Sequence, residues 1–198
     1  MGTGVPGTAR GVKTCTAPAR MGRSAMRLAY TMTRGRGALD PLLHEVAGAA
    51  AARGLRLAGI VQVNSDRPGC ARCDMDAVVL PDGPVIRISQ ALGAQARGCR
   101  LDAEGLETAV AAAEARLAQG VDLLIVNKFG KQEAAGRGFR PVIAAALEAG
   151  ADVLVGVNEM NLPALETFTG GAAEALDPDP ATLLDWIGSP PERTPALA

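Results

Sequence analysis

The chain has 198 residues, of which 48% are hydrophobic and only 3% aromatic, a composition suited to one α/β domain with an Ala/Val/Leu core. Its formal net charge of −1 speaks against a general nucleic-acid or membrane-surface binder, because both depend on excess basic charge. No apolar run reaches the ~18 residues of a membrane-spanning helix, so no membrane insertion is expected.

Residues 1–25 differ from the rest of the chain, because they contain basic residues but no acidic ones and too few apolar residues to pack. They lack the apolar segment of a secretory signal. We interpret them as a disordered leader, or as the product of a start codon placed ahead of a functional start at Met26. A basic arm for an acidic partner is the alternative. Residues 26–188 are the predicted domain, residues 189–198 a flexible tail, and the cytoplasm the expected location.

Residues 26–32 predict a first strand, and a turn rich in Gly and Arg follows it at once. Asp40 and Pro41 then predict the N-cap and first residue of a helix that ends at Gly54. Backbone N–H groups and guanidinium groups in such a turn can hold an oxyanion, although a turn without a ligand has the same composition. The residues of this turn are Thr33, Arg34, Gly35, Arg36 and Gly37.

The middle of the chain predicts a second strand over residues 57–63 and an antiparallel hairpin at a sheet edge, with strands 77–80 and 85–88 joined by PDGP. Asp102 predicts the cap of a helix over residues 103–119. Further along, the pattern predicts a strand over 152–157 and helices over 141–149, 162–168 and 180–188, the last of which starts at Asp179 and Pro180.

The most informative stretch is VDLLIVNKFGKQE, residues 121–133, in which an apolar run leads into a loop with two of the chain's three lysines. Such a run predicts a strand buried on both faces, and ligands bind at the carboxyl ends of such strands in open α/β sheets. A solvated connection is the alternative. The expected ligand-binding residues are Asn127, Lys128, Lys131 and Glu133.

Three cysteines of the predicted domain, Cys70, Cys73 and Cys99, are candidates for metal ligands or reactive thiols. A structural zinc site needs four ligands, and the single histidine, His44, is interpreted as a partly exposed side chain of the first helix. A redox Cys-x-x-Cys opens a helix after a strand, whereas Cys70 follows Pro68 and Gly69 in a loop.

These features resemble the P-loop nucleoside triphosphatase family, whose second motif has the form DLLIIDEIGKME where this chain has DLLIVNKFGKQE. More narrowly, ISQALGAQARGCRLD and VNKFGKQEAAGRGFRPVI resemble an uncharacterised bacterial family of unknown function, found among molybdenum-transport and molybdoenzyme genes. This resemblance covers about residues 26–187. It implies a three-layer α/β fold, with a mainly parallel sheet, a small antiparallel hairpin, and the first strand adjacent to the central strand. In the narrow family Cys73 and Cys99 match, which implies a thiol pair near Arg97 and Arg100.

The chain departs from the P-loop family at the positions that carry chemistry. A working phosphate loop reads GxxxxGK followed by Ser or Thr, because the lysine offsets phosphate charge and the hydroxyl ligates magnesium. With Gly37 aligned to the last glycine, Met32, Ala38 and Leu39 occupy the first-glycine, lysine and hydroxyl positions. In the second motif the magnesium-binding Asp becomes Asn127 and the water-orienting Glu becomes Lys128. Magnesium is therefore not expected to be well bound.

The predicted function is a nucleotide- or oxyanion-binding protein that does not hydrolyse its ligand and is linked to molybdenum metabolism. Arg34, Arg36 and Lys128 are expected to keep the cleft basic, with Arg97 and Arg100 near it, and molybdate or tungstate is the favoured oxyanion. The alternative is a nucleoside triphosphatase or kinase-like phosphotransferase with atypical catalytic residues. Expected partners are a small anionic ligand, a protein of the molybdenum pathway and a second copy of the chain.

Overall fold

The computed structural model describes residues 27–35, 37–65, 74–90 and 101–189. Within these ranges the chain forms seven strands and six helices. In chain order they are β1 (Leu28–Thr31), α1 (Leu39–Ala52), β2 (Leu57–Ser65), β3 (Asp74–Val79), β4 (Val85–Arg87), α2 (Ala103–Leu117), β5 (Leu123–Phe129), α3 (Lys131–Ala134), α4 (Arg140–Glu148), β6 (Asp152–Val157), α5 (Leu162–Thr169), β7 (Glu174–Leu176) and α6 (Pro180–Gly188).

All the strands belong to one sheet, in the order β4-β3-β2-β5-β6-β1-β7. Strands β2, β5, β6, β1 and β7 are parallel to one another, so their carboxyl ends meet at one edge of the sheet. Strands β3 and β4 form an antiparallel hairpin against β2. The mainly parallel sheet with an antiparallel hairpin at its edge is confirmed.

The sheet is the middle of three layers. Helices α1 and α6 cover one face, where Leu43 and Leu154 are fully buried, and α2 and α4 cover the other, where Phe129 and Phe139 are buried. Because β5 lies between these layers, residues Leu123 to Asn127 are all buried, as the apolar run predicts. No helix within the described ranges is both long and apolar enough to cross a membrane.

The predicted adjacency of the first and central strands is wrong. Strand β6 lies between β1 and β5 and pairs in parallel with both. All six residues of β6 are buried, which suits an interior strand. The separation is therefore two strand spacings, about 10 Å, rather than one. Two short elements, α3 and β7, have no counterpart among the predicted ones.

Helix α1 begins differently from the prediction. Its N-cap is Ala38, which has no side chain able to accept a hydrogen bond, and Asp40 lies inside the first turn, where it is buried. The first turn rests directly on β6, because a Cβ atom at Gly156 would lie 2.8 Å from the side chain of Leu39. The role of Asp40 as N-cap is therefore wrong, because neighbouring strands bind its carboxylate.

The caps predicted for two other helices are correct. Asp102 accepts a hydrogen bond from the backbone N–H of Glu104 at the start of α2. Asp179 accepts one from the backbone N–H of Thr182 at the start of α6. His44 is exposed on α1, as expected.

Arg27 fastens the start of β1 to the last helix. Its guanidinium group donates to the backbone carbonyl oxygens of Trp186 at 2.6 Å and Ser189 at 2.7 Å, and it forms a salt bridge with Asp152 at 3.3 Å. The same group lies over the Trp186 ring, 4.4 Å from its centroid. With its side chain only 11% exposed, Arg27 makes these contacts largely out of water, where they are strongest.

Replacing Arg27 should therefore destabilise the whole domain. We expect Arg27→Ala to lower the free energy of unfolding by about 2–4 kcal/mol, because it removes the cation–π contact and two charge-assisted hydrogen bonds. Urea unfolding followed by Trp186 fluorescence measures it. The matched control is Arg53→Ala, which removes one hydrogen bond from an exposed arginine to the Leu184 carbonyl oxygen and should change stability by less than about 0.5 kcal/mol. Equal effects of the two substitutions would contradict this account.

Candidate functional site

A cavity of about 1230 Å³ opens at the edge of the sheet where the parallel strands end. Its lining residues come from the carboxyl ends of β1, β2, β5, β6 and β7, from the turn after β1 and from the first turn of α1. Among the described residues, the polar members of the lining are Thr33, Arg34, Asp40, Gln62, Asn64, Lys128, Asn158, Glu159 and Asp177. The cavity thus lies where ligands bind in open α/β sheets.

Five of the predicted site residues line this cavity. They are Thr33, Arg34, Gly35, Gly37 and Lys128. Gly37 has a φ of +82°, a conformation that residues with a Cβ rarely adopt, so the turn depends on glycine at this position. Six of the other predicted residues lie outside the described residues: Arg36, Arg97, Arg100, Cys70, Cys73 and Cys99.

Asn127 lies beneath the cavity at the end of β5 and is only 2% exposed. Its Nδ2 donates to Oδ1 of Asp40 at 3.3 Å, while its Oδ1 is buried without a hydrogen-bond partner. The register between β5 and β6 shifts between Asn127 and Phe129. Lys128, at the shift, is exposed and contributes to the cavity lining.

Three residues outside the predicted ligand-binding set, Asp40, Gln62 and Asn64, form the polar floor of the cavity. The carboxylate of Asp40 accepts hydrogen bonds from Gln62 Nε2 at 3.3 Å and from Asn64 Nδ2, in addition to the one from Asn127. Gln62 Nε2 also donates to Asn64 Oδ1 at 2.8 Å. This network joins the first turn of α1 to the carboxyl ends of β2 and β5.

A signal for two of these residues exists in the sequence. Gln62 and Asn64 alternate at the end of an apolar strand, so their side chains point to the same face. Paired polar residues at the carboxyl end of a buried strand indicate a site as Asn127 does. Asp40 is harder to find, because an Asp before a Pro is the usual sign of a helix start.

Lys131 and Glu133 are not among the described residues of the lining. Lys131 is the first residue of α3, and Glu133 is 3% exposed with both carboxylate oxygens in use. The carboxylate accepts from the backbone N–H of Gly130 at 2.9 Å and of Phe139 at 3.0 Å. These contacts shape the connection between β5 and α4, and a ligand-binding role for either residue stays a prediction.

The charge of the cavity is mixed. In the described lining, Arg34 and Lys128 are basic and Asp40, Glu159 and Asp177 are acidic. This part of the cleft is therefore not basic overall. Nowhere in the described ranges do three or more His, Cys, Asp or Glu side chains group as a metal site would.

The architecture is that of P-loop nucleoside triphosphatases. The structure is similar to the solution structure of a human cancer-related nucleoside triphosphatase, with a TM-score of 0.54, over 82% of this chain and 96% of that one. Sequence identity between the two is 15%, so the similarity concerns the fold.

The chain belongs to a family described as "Protein of unknown function (DUF2478)", whose profile matches residues 28–186. It is also 44% identical over 151 residues to the molybdenum import ATP-binding protein ModC 2 of Bradyrhizobium diazoefficiens. That match covers 76% of this chain but 17% of the relative, so the chain spans only a small part of that protein's length.

The buried carboxylate of Glu133 yields a stability prediction. Glu133→Ala should lower the free energy of unfolding by about 3 kcal/mol, because two backbone N–H groups lose their acceptor. Glu148→Ala, at an exposed position near the end of α4, is the control and should have an effect below about 0.5 kcal/mol. Thermal unfolding of both variants measures the difference. An unchanged melting temperature for Glu133→Ala would contradict the structural role.

Proposed function

We propose that the cavity binds a nucleoside triphosphate through its phosphates without rapid hydrolysis, in a protein that serves molybdenum metabolism in the cytoplasm. The observation that carries the proposal is the polar turn and helix start at the centre of a large cavity at the carboxyl ends of the parallel strands. The name of the relative, a molybdenum import ATP-binding protein, supports both the ligand class and the metabolic link.

The size of the cavity favours a nucleotide. Its volume of about 1230 Å³ exceeds the roughly 300–1,000 Å³ of sites for drug-sized ligands and cofactors, and far exceeds that of a tetrahedral oxyanion. The lining reaches from Gln62 on β2 to Asp177 after β7. Four strand spacings separate these strands in the sheet, about 19 Å, which accommodates an extended nucleotide.

The turn between β1 and α1 is the proposed phosphate site. The first N–H groups of a helix have no acceptor within the helix, and Ala38 offers none from its side chain. A phosphate at this point would accept from these groups and interact with the positive end of the helix dipole. Arg34 and Lys128 line the same cavity and supply positive charge.

The lining also contains apolar surface that suits a base and ribose. It comes from Tyr30, Leu176 and Pro178, which lie beside the acidic Asp177, and from Met160, which is 86% exposed. Aromatic and aliphatic surfaces of this kind stack against the faces of nucleobases, whatever the base. The lining thus offers polar groups for the phosphates and apolar surface for the base of a nucleotide.

The residues at the chemical positions favour binding over turnover. Ala38 and Leu39 replace the lysine and hydroxyl of the phosphate loop, and Lys128 replaces the water-orienting carboxylate. One observation favours the alternative of an atypical hydrolase, since Glu159 at the end of β6 lines the cavity and carries a carboxylate. Such a group can act as a general base if it reaches the attacking water.

Nucleotide binding is tested by isothermal titration calorimetry with ATP and GTP. We expect a saturable signal, and Arg34→Ala or Lys128→Ala should each weaken binding about tenfold or more, because a charged contact of this kind contributes roughly 1.5–3 kcal/mol. Arg137→Ala, an exposed arginine outside the described lining, is the control and should bind like the wild type. Absence of a heat signal with both ATP and GTP would refute the proposal.

Hydrolysis is tested by phosphate release under saturating nucleotide. We expect turnover well below about 1 per second, the low end of ordinary enzyme rates. A faster rate that Glu159→Gln abolishes would instead establish the atypical hydrolase.

Molybdate is the second candidate ligand, favoured by the name of the relative and by the phosphate-like shape of this dianion. It would occupy the same turn at Arg34 and Lys128. Molybdate titrated into the wild type should then release heat that the Arg34→Ala, Lys128→Ala double variant does not. The same signal in both proteins, or none in either, would remove molybdate and leave the nucleotide proposal untouched.

A further inference from the structure

Within the described residues, the hydrogen-bond partners of the buried Asp40 carboxylate are all neutral amides. Asp40 is 5% exposed, and its hydrogen bonds come from the amides of Gln62, Asn64 and Asn127. No salt bridge joins it to Arg34, Lys128 or any other basic side chain within the described part of the chain. Buried charges in proteins are ordinarily paired with an opposite charge or coordinate a metal. The three amides orient this carboxylate but do not neutralise it.

A second buried oxygen next to Asp40 also lacks a partner. None of the described residues donates a hydrogen bond to Asn127 Oδ1, although Asn127 is only 2% exposed. The Nδ2 of the same amide contacts Asp40, and the two atoms share one carbon, so the free oxygen lies within a few ångströms of the carboxylate. With the amide turned over, its oxygen and the Asp40 carboxylate would face each other, and only a cation between these two acceptors would satisfy both. A buried acceptor left in this way calls for a donor or a cation.

We propose that Asp40 and Asn127 hold a divalent cation, of the Mg²⁺ or Mn²⁺ class, on the floor of the cavity. The available donors are oxygens, one of them charged, which is what these hard cations prefer. Mg²⁺ in particular is bound through one or two protein carboxylates together with water and substrate phosphates. The proposal deepens the proposed function, on which it rests for the phosphate ligands, while the protein ligands are argued independently of it.

In this arrangement the metal-binding carboxylate would come from helix α1 instead of the central strand. In the P-loop pattern the carboxylate belongs to the second motif on the central strand, the position that Asn127 occupies here. Helix α1 supplies a carboxylate to the same place from the opposite side, because its first turn lies directly on Gly156. The loss of the Asp at position 127 is thereby offset by Asp40, and the metal-free site expected from the sequence is revised.

The experiment titrates Mn²⁺ alone, and then with ATP present, into the full chain and follows bound Mn²⁺ by electron paramagnetic resonance. We expect the wild type to bind Mn²⁺ and to gain thermal stability from it. Asp40→Asn should weaken Mn²⁺ binding at least about tenfold, since affinity follows the ligand charge. This variant should fold, because the Asn127 amide can turn over and accept from the new amide.

Two further variants separate a metal ligand from a merely structural carboxylate. Asn127→Asp adds a second carboxylate beside the first, so it should raise Mn²⁺ affinity about tenfold and lower the melting temperature of the metal-free protein through repulsion. Glu45→Gln removes an exposed acid of α1 outside the described lining of the cavity and should bind Mn²⁺ within about twofold of the wild type, because exposed charges are screened.

Several results would overturn the cation site. These are no Mn²⁺ binding to the wild type in either condition, equal affinity in Asp40→Asn and wild type, equal losses in Asp40→Asn and Glu45→Gln, or no gain in Asn127→Asp. ATP binding that ignores Mn²⁺ and Asp40 would remove the cation site and keep the nucleotide proposal. Mn²⁺ binding that requires Asp40 in a protein with no affinity for nucleotides would do the reverse.

Discussion

The hydrogen-bonded carboxylate of Asp40 is the interaction on which the geometry of the site depends. It receives amide donors from two neighbouring strands, β2 and β5, and so fixes the start of α1 against the edge of the sheet. The helix packs closely on β6 at Gly156, where an added Cβ atom would lie 2.8 Å from the side chain of Leu39 and 2.9 Å from that of Leu43. A side chain at this position would have to displace these two leucine side chains. The hydrogen bonds that hold the start of α1 are therefore the same ones that form the polar floor of the cavity.

The packing of strands and helices also sets the position of the cavity in this P-loop-like fold. The turn between β1 and α1 still opens into a cavity at the strand ends, because strand order and helix packing determine its place. Ala38 at the start of α1 and Asn127 at the end of β5 are compatible with that packing. In the proposed function this place holds the phosphates of a nucleotide without rapid hydrolysis.

Much of the fold is predictable from the sequence because its signals are local. The run before Asn127 marks a strand buried on both faces, and Asp102 and Asp179 mark helix starts that the structure confirms. Strand order depends on contacts between distant parts of the chain, so the sequence does not predict β6 between β1 and β5. Strand β7 is three residues long and largely exposed, so its sequence carries no strong pattern.

The site was predictable only in part for the same reason. Arg34 and Lys128 stand out by residue type next to glycine and to a buried strand, and both line the cavity. The N-cap role predicted for Asp40 is wrong, and the structural contacts of Glu133 are not evident from the sequence, because the partners of both carboxylates are set by tertiary contacts. The partners of Asp40 lie at positions 62, 64 and 127, and Glu133 binds the backbone of Gly130 and Phe139 within its own loop. The role of a buried carboxylate follows from its hydrogen-bond donors, which the sequence does not show.

The most direct measurement is a crystal structure of the full chain grown with Mn²⁺ and a non-hydrolysable ATP analogue, with anomalous data collected for manganese. The account predicts phosphate density at the turn from Thr33 to Gly37 and a manganese peak bonded to Asp40 and Asn127. Nucleotide bound elsewhere on the protein, or a manganese peak remote from both residues, would contradict it.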